Sequence, residues 1–431
     1  MLKINPLSTL YVGIDVSSKS NYVCALDFYK NKYINSSFAN NQPGAEELAL
    51  KILECLNQHP DLTMVVAALE STSVYSIHIA NYLSSCEELM RFKPYVFVLN
   101  PKCTANYKKS YIGLGKSDPI DAFVIADYAR AGNIESEPWR GSQFLALKRL
   151  TRHRLHLVEC MTREKTYLVS NLYLKFSQLQ MLEGDDQPFC DIYGATSSSV
   201  LMEYLSPEEI LASSEENLIA FLAEKSCNRI KDISKTADLL KKAARDSYRL
   251  DKALYEPLNV SIASSFNCIE TFKREIKVID NAIEKEIKGL NPNAFIILQS
   301  IDGIGPVFAG GIIAEIGDIT AFHSSDALAK YAGLTWKSNQ SGDFYGEDTP
   351  MIKAGNRYLR YYLGEAANSM RKHNVEYGAY YRKKYNEVPK HQHKRALALT
   401  SRKFVRLVYG LLARNQLYSG VSLDTSIKDS N

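Results

Sequence analysis

Three features are missing from this sequence of 431 residues, and each absence argues against a class of protein. No run of about 18 apolar residues occurs, so we expect no membrane-spanning helix. The first residues, MLKINPLSTL, lack the basic start and apolar stretch of a secretory signal peptide, which predicts a cytoplasmic protein. None of the eight cysteines forms a C-x-x-C pair, so a zinc ribbon is not expected and free thiols are.

Acidic residues are scarce in one segment near the C-terminus. Residues 351–415 contain 15 lysines and arginines but only three acids, a local charge of +12, whereas the whole chain carries only +4. Such a segment would attract a polyanion such as nucleic acid and release its counterions on binding. A solvated basic face would explain the same charge, and the two interpretations stay open.

The order of apolar segments predicts an α/β domain over residues 1–135. Three short strands come first, and they are followed by helix, strand, helix, strand and helix. This order is that of an RNase H-like sheet. The strand segments are TLYVGIDV, YVCALDF, KYINSSF, LTMVVAAL and YVFVL.

The rest of the chain is predicted to be mostly helical. In residues 136–292, apolar side chains recur every three or four positions from Ile262 to Leu290, which is the pattern of a coiled coil or a long packed helix. Residues 293–418 are predicted to form a small, mostly helical C-terminal domain. The polar residues 419–431 are predicted to be a disordered tail.

Four acids form the candidate catalytic centre. Asp15 ends the first apolar strand and Glu70 ends the fourth, and a carboxylate in an apolar strand is costly unless it is paired or metal-bound. In KSDPIDA, Asp118 and Asp121 lie three apart at a helix start and project from one face. Four acids from two strands and a helix would repel each other without cations, so we predict a pair of Mg²⁺ ions.

Each acid alone has an ordinary explanation. An aspartate at a strand end is usually a turn residue, and D-x-x-D at a helix start is usually capping chemistry. The candidate site depends on all four acids occurring in order, each in the structural setting expected for it.

Seven segments resemble the DEDD transposases of the insertion sequence one-ten family, whose relatives include bridge-RNA-guided recombinases. The similarity covers both ends of the chain, and no specific similarity is found between residues 165 and 260, so the insert there has no assigned role. The similar segments are YVGIDVSSKSNYVCALD, ALESTSVYSIHIANYL, VFVLNPKCTANYKKS, GKSDPIDAFVIADYAR, LQSIDGIGPVFAGGIIAEIGD, FHSSDALAKYAGLTWKSNQSGDF and KAGNRYLRYYLGEAA.

The resemblance implies a fold, a chemistry and partners. The fold is a RuvC-like N-terminal domain, a coiled-coil segment and a small transposase domain, and the four catalytic acids fall on Asp15, Glu70, Asp118 and Asp121. A serine that attacks DNA and forms a phosphoserine falls on Ser341, in the motif that follows AGLT. The implied partners are donor and target DNA, a non-coding bridge RNA, and further copies of the chain in a homodimer that assembles into a homotetramer. From the residues alone, a lone serine in the polar loop NQSGDFYGED would be inert.

Two groups of cations are predicted to contact nucleic acid. Lys353, Arg357 and Arg360 would share one face if MIKAGNRYLR were helical. The second group, Arg382, Lys383 and Lys384, lies in the basic stretch YYRKKYNEVPKHQHKR. Tyrosines between these cations could stack on unpaired bases or could simply pack the helix.

The sequence therefore predicts a Mg²⁺-dependent, RNA-guided DNA transposase or recombinase with a serine nucleophile. A RuvC-like structure-specific endonuclease is the second interpretation, which explains the acids but not the serine loop or the basic segment. A non-catalytic nucleic-acid-binding protein is the third, although all four acid positions are filled.

Overall fold

The computed structural model describes residues 4–71, 74–134, 138–139, 141–336, 340–341, 344–345 and 350–420, with only the backbone at 340, 341, 344 and 345. The chain divides into two compact units, Arg149–Gly289 and Met1–Lys148 with Leu290–Asn431. All eight cysteines are free thiols, as predicted. No helix in the described ranges is long and apolar enough to cross a membrane.

The N-terminal part of the first unit is built on one five-stranded sheet. The strand order is β3-β2-β1-β4-β5, with β1, β2 and β3 antiparallel and β4 parallel to both β1 and β5. This is the predicted RNase H-like order of strands and helices. The elements are β1 (Thr9–Val16), β2 (Ser20–Leu26), β3 (Lys32–Ala39), α1 (Gln42–Gln58), β4 (Met64–Glu70), α2 (Tyr75–Ser85), β5 (Tyr95–Leu99), α3 (Pro101–Lys108) and α4 (Asp118–Arg130).

The two faces of this sheet carry different helices. Because side chains alternate along a strand, β1 sends Val12 and Ile14 into a core shared with α1 and α2, and sends Tyr11 into a second core shared with α4. The residues of α4 in that second core include Ala122, Ile125, Ala126 and Ala129. Asp15 follows Tyr11 and Gly13 on the α4 side, so the alternation that builds the core also directs this acid toward α4.

The second unit is a pair of long antiparallel helices with four short helices packed on it. Arg154 contacts Asp280 at 2.5 Å, and Asn171 donates a hydrogen bond to Ser261 at 3.1 Å. These two contacts show that the two long helices run antiparallel. Most of the predicted apolar repeat is buried, although formation of a coiled coil stays a prediction. The elements are α5 (Ser142–Lys175), α6 (Ala195–Glu203), α7 (Pro207–Ala212), α8 (Glu215–Ser226), α9 (Ile233–Asp246) and α10 (Lys252–Leu290).

The segment predicted as an insert belongs to the core of this unit. Val200, Ile210 and Leu240 from the short helices share one buried cluster with Phe176 of α5 and Phe266 of α10. The insert therefore covers the apolar faces of the two long helices rather than extending from them as a separate appendage.

The C-terminal part of the first unit is mostly helical, as predicted. Tyr362 is completely buried, and its ring lies so close to Gly311 that a Cβ there would be 2.4 Å from it. The limits 1–135, 136–292 and 293–418 for three domains stay predictions. The elements are α11 (Pro292–Gln299), α12 (Pro306–Ile316), α13 (Ser325–Ala332), β6 (Gln340–Ser341), β7 (Phe344–Tyr345), α14 (Arg357–His373), α15 (Val375–Asn386) and α16 (Gln392–Arg414).

Candidate active site

The parallel pairing of β1 with β4 places two of the predicted acids on neighbouring strands. Gly13 pairs with Ala68 and Ile14 pairs with Leu69, so Asp15 and Glu70 come next in the same register. Both acids are half-buried. The carboxyl ends of parallel strands meet at one edge of a sheet, which is where open α/β sheets bind ligands.

The other two acids come from the first turn of α4. Asp118 and Asp121 both lie in that turn, where the exposed backbone N–H groups favour negative charge. Ser117 precedes the helix at the position of a cap residue, but its side chain makes no capping hydrogen bond. Pro119 occupies the first turn, as expected from its fixed φ angle.

A glycine brings this helix close to the sheet. A Cβ at Gly13 would lie 2.2 Å from the carbonyl oxygen of Ala122 and 2.3 Å from the backbone nitrogen of Ala126. Only glycine therefore lets α4 lie directly on β1, which brings Asp121 to Asp15. Our sequence analysis did not identify this residue, although an isolated glycine inside a strand is a known signal of close backbone approach.

Electrostatic repulsion marks the cluster. Burial, followed by the charges of Asp121, Asp118 and Glu70, raises the pKa of Asp15 to about 6, and Lys108 acts in the opposite direction. A raised carboxyl pKa means that the surroundings of the carboxyl group disfavour its ionised form. Four hard oxygen donors whose negative charge Lys108 only partly offsets are a donor set that suits a divalent cation such as Mg²⁺.

Two residues of α3 contact the acids and were not identified from the sequence. Thr104 is buried and donates a hydrogen bond to Glu70, and the Lys108 ammonium contacts Asp121 at 2.5 Å. They lie four apart and so share one helix face, but only the fold shows that this face meets the acids. Among the described residues, no three His, Cys, Asp or Glu side chains are close enough to hold a metal ion. Lys108 partly neutralises the cluster in this arrangement.

A buried carboxylate ties α3 to α4 behind the site. Asp127 is completely buried and accepts hydrogen bonds from Tyr107 at 2.9 Å, from Tyr111, and from Arg130 at 2.6 Å. Burial alone would raise the pKa of Asp127, but the hydrogen bonds from Tyr111, Arg130 and Tyr107 hold it below its usual value. This network fixes the helix that carries Lys108 against the helix that carries Asp121.

Comparison with known protein families agrees with this geometry. A model described as a DEDD transposase of the IS110 group matches residues 12–177, which include all four acids, and a model of the "Transposase IS116/IS110/IS902 family" matches residues 296–382. The chain belongs to this transposase family. It is accordingly a DNA transposase or recombinase, an enzyme whose substrates are DNA, and DEDD transposases typically use a divalent metal.

Full-length relatives of this transposase come from insertion elements. The chain is 24% identical to the 42 kDa protein of insertion element IS900 from Mycobacterium paratuberculosis, over 95% of this chain and 97% of that protein. It is 23% identical to the 44.8 kDa protein of IS116 from Streptomyces clavuligerus, over 95% and 96%. Both alignments run through the middle of the chain, where the sequence alone gave no specific similarity.

A further relative has a name that refers to rearrangement of a gene. The chain is 26% identical to the pilin gene-inverting protein of Moraxella lacunata, over 37% of this chain and 46% of that protein. The similarity to this gene-inverting protein covers only part of each protein.

The predicted nucleophile of the transposase lies in a short hairpin. The backbone of Ser341 is in β6 and pairs with Phe344 of β7. The side chain of Ser341, like the whole of Gly342, lies outside the described residues. The role of Ser341 therefore stays a prediction.

The first predicted group of basic residues does not lie on one helix, so that part of the prediction was wrong. Asn356 caps α14 by accepting hydrogen bonds from the N–H groups of Tyr358 and Leu359, so the helix begins at Arg357. Lys353 precedes it and has a positive φ of 52°. Arg360 donates hydrogen bonds at 3.0 Å to the carbonyl oxygens of Ala332 and Lys353, which assigns it a structural role in holding the segment before the helix.

The second predicted group is more accessible. Arg382 and Lys383 are exposed on α15, whereas Lys384 pairs with Glu387 at 2.7 Å. Among the tyrosines of the basic segment, Tyr362, Tyr377 and Tyr381 are buried, which favours packing over base stacking for these three.

Proposed function

We propose that this transposase cuts and rejoins DNA with a composite site, in which Asp15, Glu70, Asp118 and Asp121 hold Mg²⁺ and Ser341 is the nucleophile. The observation that carries the metal part is that the parallel strands β1 and β4 bring Asp15 and Glu70 to one sheet edge beside the first turn of α4, where burial and three carboxylates raise the pKa of Asp15 to about 6. An arrangement that keeps such repulsion is stabilised when a cation enters it. The serine part is supported by the resemblance of the AGLT and SG motifs.

The residues of the chain have distinct tasks in this proposal. The Ser341 hydroxyl attacks a phosphodiester, so that one new P–O bond forms to the serine, one P–O bond of the DNA breaks, and the leaving oxygen takes up a proton. When bound, Mg²⁺ would stabilise negative charge on the attacking and leaving oxygens. Thr104 holds the Glu70 carboxylate in place, and Lys108 releases Asp121 for the cation.

The partners belong to the same proposal. We infer that a non-coding bridge RNA selects donor and target DNA, and that homodimers pair into tetramers in which the acids of one subunit work with the serine of another. The exposed cations Arg382 and Lys383 support contact with a nucleic-acid backbone.

A covalent adduct is the decisive product to measure. Wild-type protein and its copurifying RNA are incubated with Mg²⁺ and DNA that carries the element ends. The reaction is stopped with denaturant, and protein-linked DNA is detected by gel electrophoresis and by the mass of the modified peptide. We expect an adduct on Ser341 that is lost in Ser341→Ala and in Asp15→Asn, while Ser338→Ala serves as the matched control and keeps it. Mixing Ser341→Ala with Asp15→Asn protein restores some adduct if the site is shared between subunits.

The same assay distinguishes the endonuclease alternative. In a two-metal nuclease, water attacks and no protein–DNA bond forms. Cleavage by wild type without an adduct, together with full cleavage by Ser341→Ala, would reject the serine mechanism. Removal of copurifying RNA by ribonuclease abolishes recombination if RNA guides the reaction, and unchanged recombination would reject that part.

A further inference from the structure

An exposed apolar tip lies directly before the catalytic helix. The connection from Tyr111 to Ser117 joins α3 to α4, and in it Ile112 is fully exposed and Leu114 is 37% exposed. Neither side chain belongs to the core of the α4 side of the sheet or to the partly buried residues that pack against it. In the part of the chain that the structure describes, no large apolar side chain is more exposed than Ile112.

The base of this connection is held firmly, whereas its tip is not. The Tyr111 hydroxyl donates to buried Asp127, and its ring packs edge-on against Phe123 with centroids 6.1 Å apart. At the other end, the Ser117 carbonyl accepts the first hydrogen bonds of α4. At the tip, Gly113 has a φ of +81° and, like Gly115, has no atom within 4 Å of where a Cβ would be.

The charge around the tip suits DNA. Residues 101–117 contain four lysines and no acid; Lys108 among them contacts Asp121, and Lys109 and Lys116 flank the tip along the chain. Asp118 follows Leu114 by four residues, so the tip adjoins the acid cluster. Two apolar side chains are far too small an area for a stable protein interface, which needs about 1,000 Å². Apolar side chains that enter DNA between base pairs, by contrast, act singly or in pairs.

We propose that Ile112 and Leu114 form a wedge that enters the DNA at a base step beside the scissile phosphate and unstacks it. This inference rests on the proposed function, because it requires DNA at the acid cluster. The firm base transmits the position of the tip to α4 through Tyr111 and Asp127. The glycines give the tip the freedom to fit between bases, and the lysines hold the flanking phosphates.

The first test uses 2-aminopurine, whose fluorescence rises when it is unstacked, placed at each position around the cleavage site. In an Asp15→Asn background, which prevents cleavage, we expect binding to raise the signal at one step, and the double change Ile112→Ser and Leu114→Ser to remove that rise. Ile112→Leu keeps it. Leu50→Ser is the control, because Leu50 is 60% exposed but lies on α1, which packs on the opposite face of the sheet from α4.

The second test separates unstacking from a loss of structure. The double variant should cut paired DNA about tenfold more slowly or worse, and a mismatch at the wedge step should restore most of the rate, since a mispaired step is already easier to open. A folding defect would not be rescued by a change in the DNA.

The wedge is rejected if no position shows a rise, if the double variant keeps the rise, or if the mismatch fails to rescue cleavage. It is also rejected if the double variant changes the sedimentation of the protein and leaves the fluorescence unaltered, which would assign the tip to contact between copies. Failure of wild type to cut DNA would instead reject the proposed function, so the two failures are distinguishable.

Discussion

The end of β1 and the helices α14–α16 both gather charges of one sign, but the protein treats the two groups differently. At the end of β1, Asp15 lies among three other carboxylates and its pKa rises to about 6. In the C-terminal helices, some cations are paired with acids, as Lys384 is with Glu387 and Lys403 with Glu376, while Arg382 and Lys383 are exposed. Repulsion among the carboxylates favours the binding of a cation. Pairing with acids instead gives Lys384 and Lys403 a structural use of their charge.

Replacing one of the four acids near the end of β1 is expected to have the largest effect. Asp15→Asn, Glu70→Gln, Asp118→Asn or Asp121→Asn should each lower recombination roughly 100-fold or more, because each removes a ligand of the cation that would stabilise the reacting phosphate. Recombination of a plasmid carrying paired ends measures the effect. Near-normal activity in any two of these variants, each shown to be folded by circular dichroism, would reject the four-acid site.

Moving α4 away from β1 is the next most severe change. Gly13→Ala places a Cβ 2.2 Å from the backbone of Ala122, so we expect a loss of about 3 kcal/mol of stability, as for severe overpacking, together with loss of cleavage. Denaturant unfolding measures the first effect. The matched control is Gly364→Ala in α14, where no atom lies within 4 Å of the new Cβ, and alanine there should stabilise the helix by about 1 kcal/mol. Equal effects of the two changes would contradict the close approach.

The cations of the basic segment are expected to have different roles, some in binding nucleic acid and others in stabilising the fold. Arg382→Gln with Lys383→Gln should lower nucleic-acid affinity and reduce the log–log salt slope by up to about 2, with little change in stability. Arg360→Gln should instead lower stability by about 1–3 kcal/mol, because two carbonyl oxygens lose their donor. Binding titrations at several salt concentrations and unfolding curves measure both quantities. If Arg360→Gln lowers the slope without loss of stability, the structural role assigned to it is wrong.

The sequence predicted the sheet well because its signals were local. Apolar strands interrupted by single carboxylates, and two aspartates three apart at a helix start, each identify an element and its end without reference to the rest of the chain. The contacts of Thr104 and Lys108 could not be predicted in this way, because they depend on how α3 packs beside α4 across the sheet edge. The prediction that Lys353 shares a helix face with Arg357 and Arg360 was wrong for a related reason. Asn356 caps α14, so the helix begins after Lys353.

The central claim is that the Asp15 cluster is a divalent-metal site, and thermal unfolding across pH tests it most directly. The folded-state pKa of Asp15 lies above its ordinary value, so without metal its ionisation costs stability as pH rises from about 4 to about 6, by roughly 1 kcal/mol after solvent screening. In EDTA, Asp15→Asn should therefore unfold about 2 °C above wild type at pH 7.5 and at the same temperature near pH 4. Adding Mg²⁺ at pH 7.5 should raise the Tm of wild type and leave that of Asp15→Asn nearly unchanged. An equal response of both proteins to Mg²⁺, or no response of wild type, would contradict the metal site.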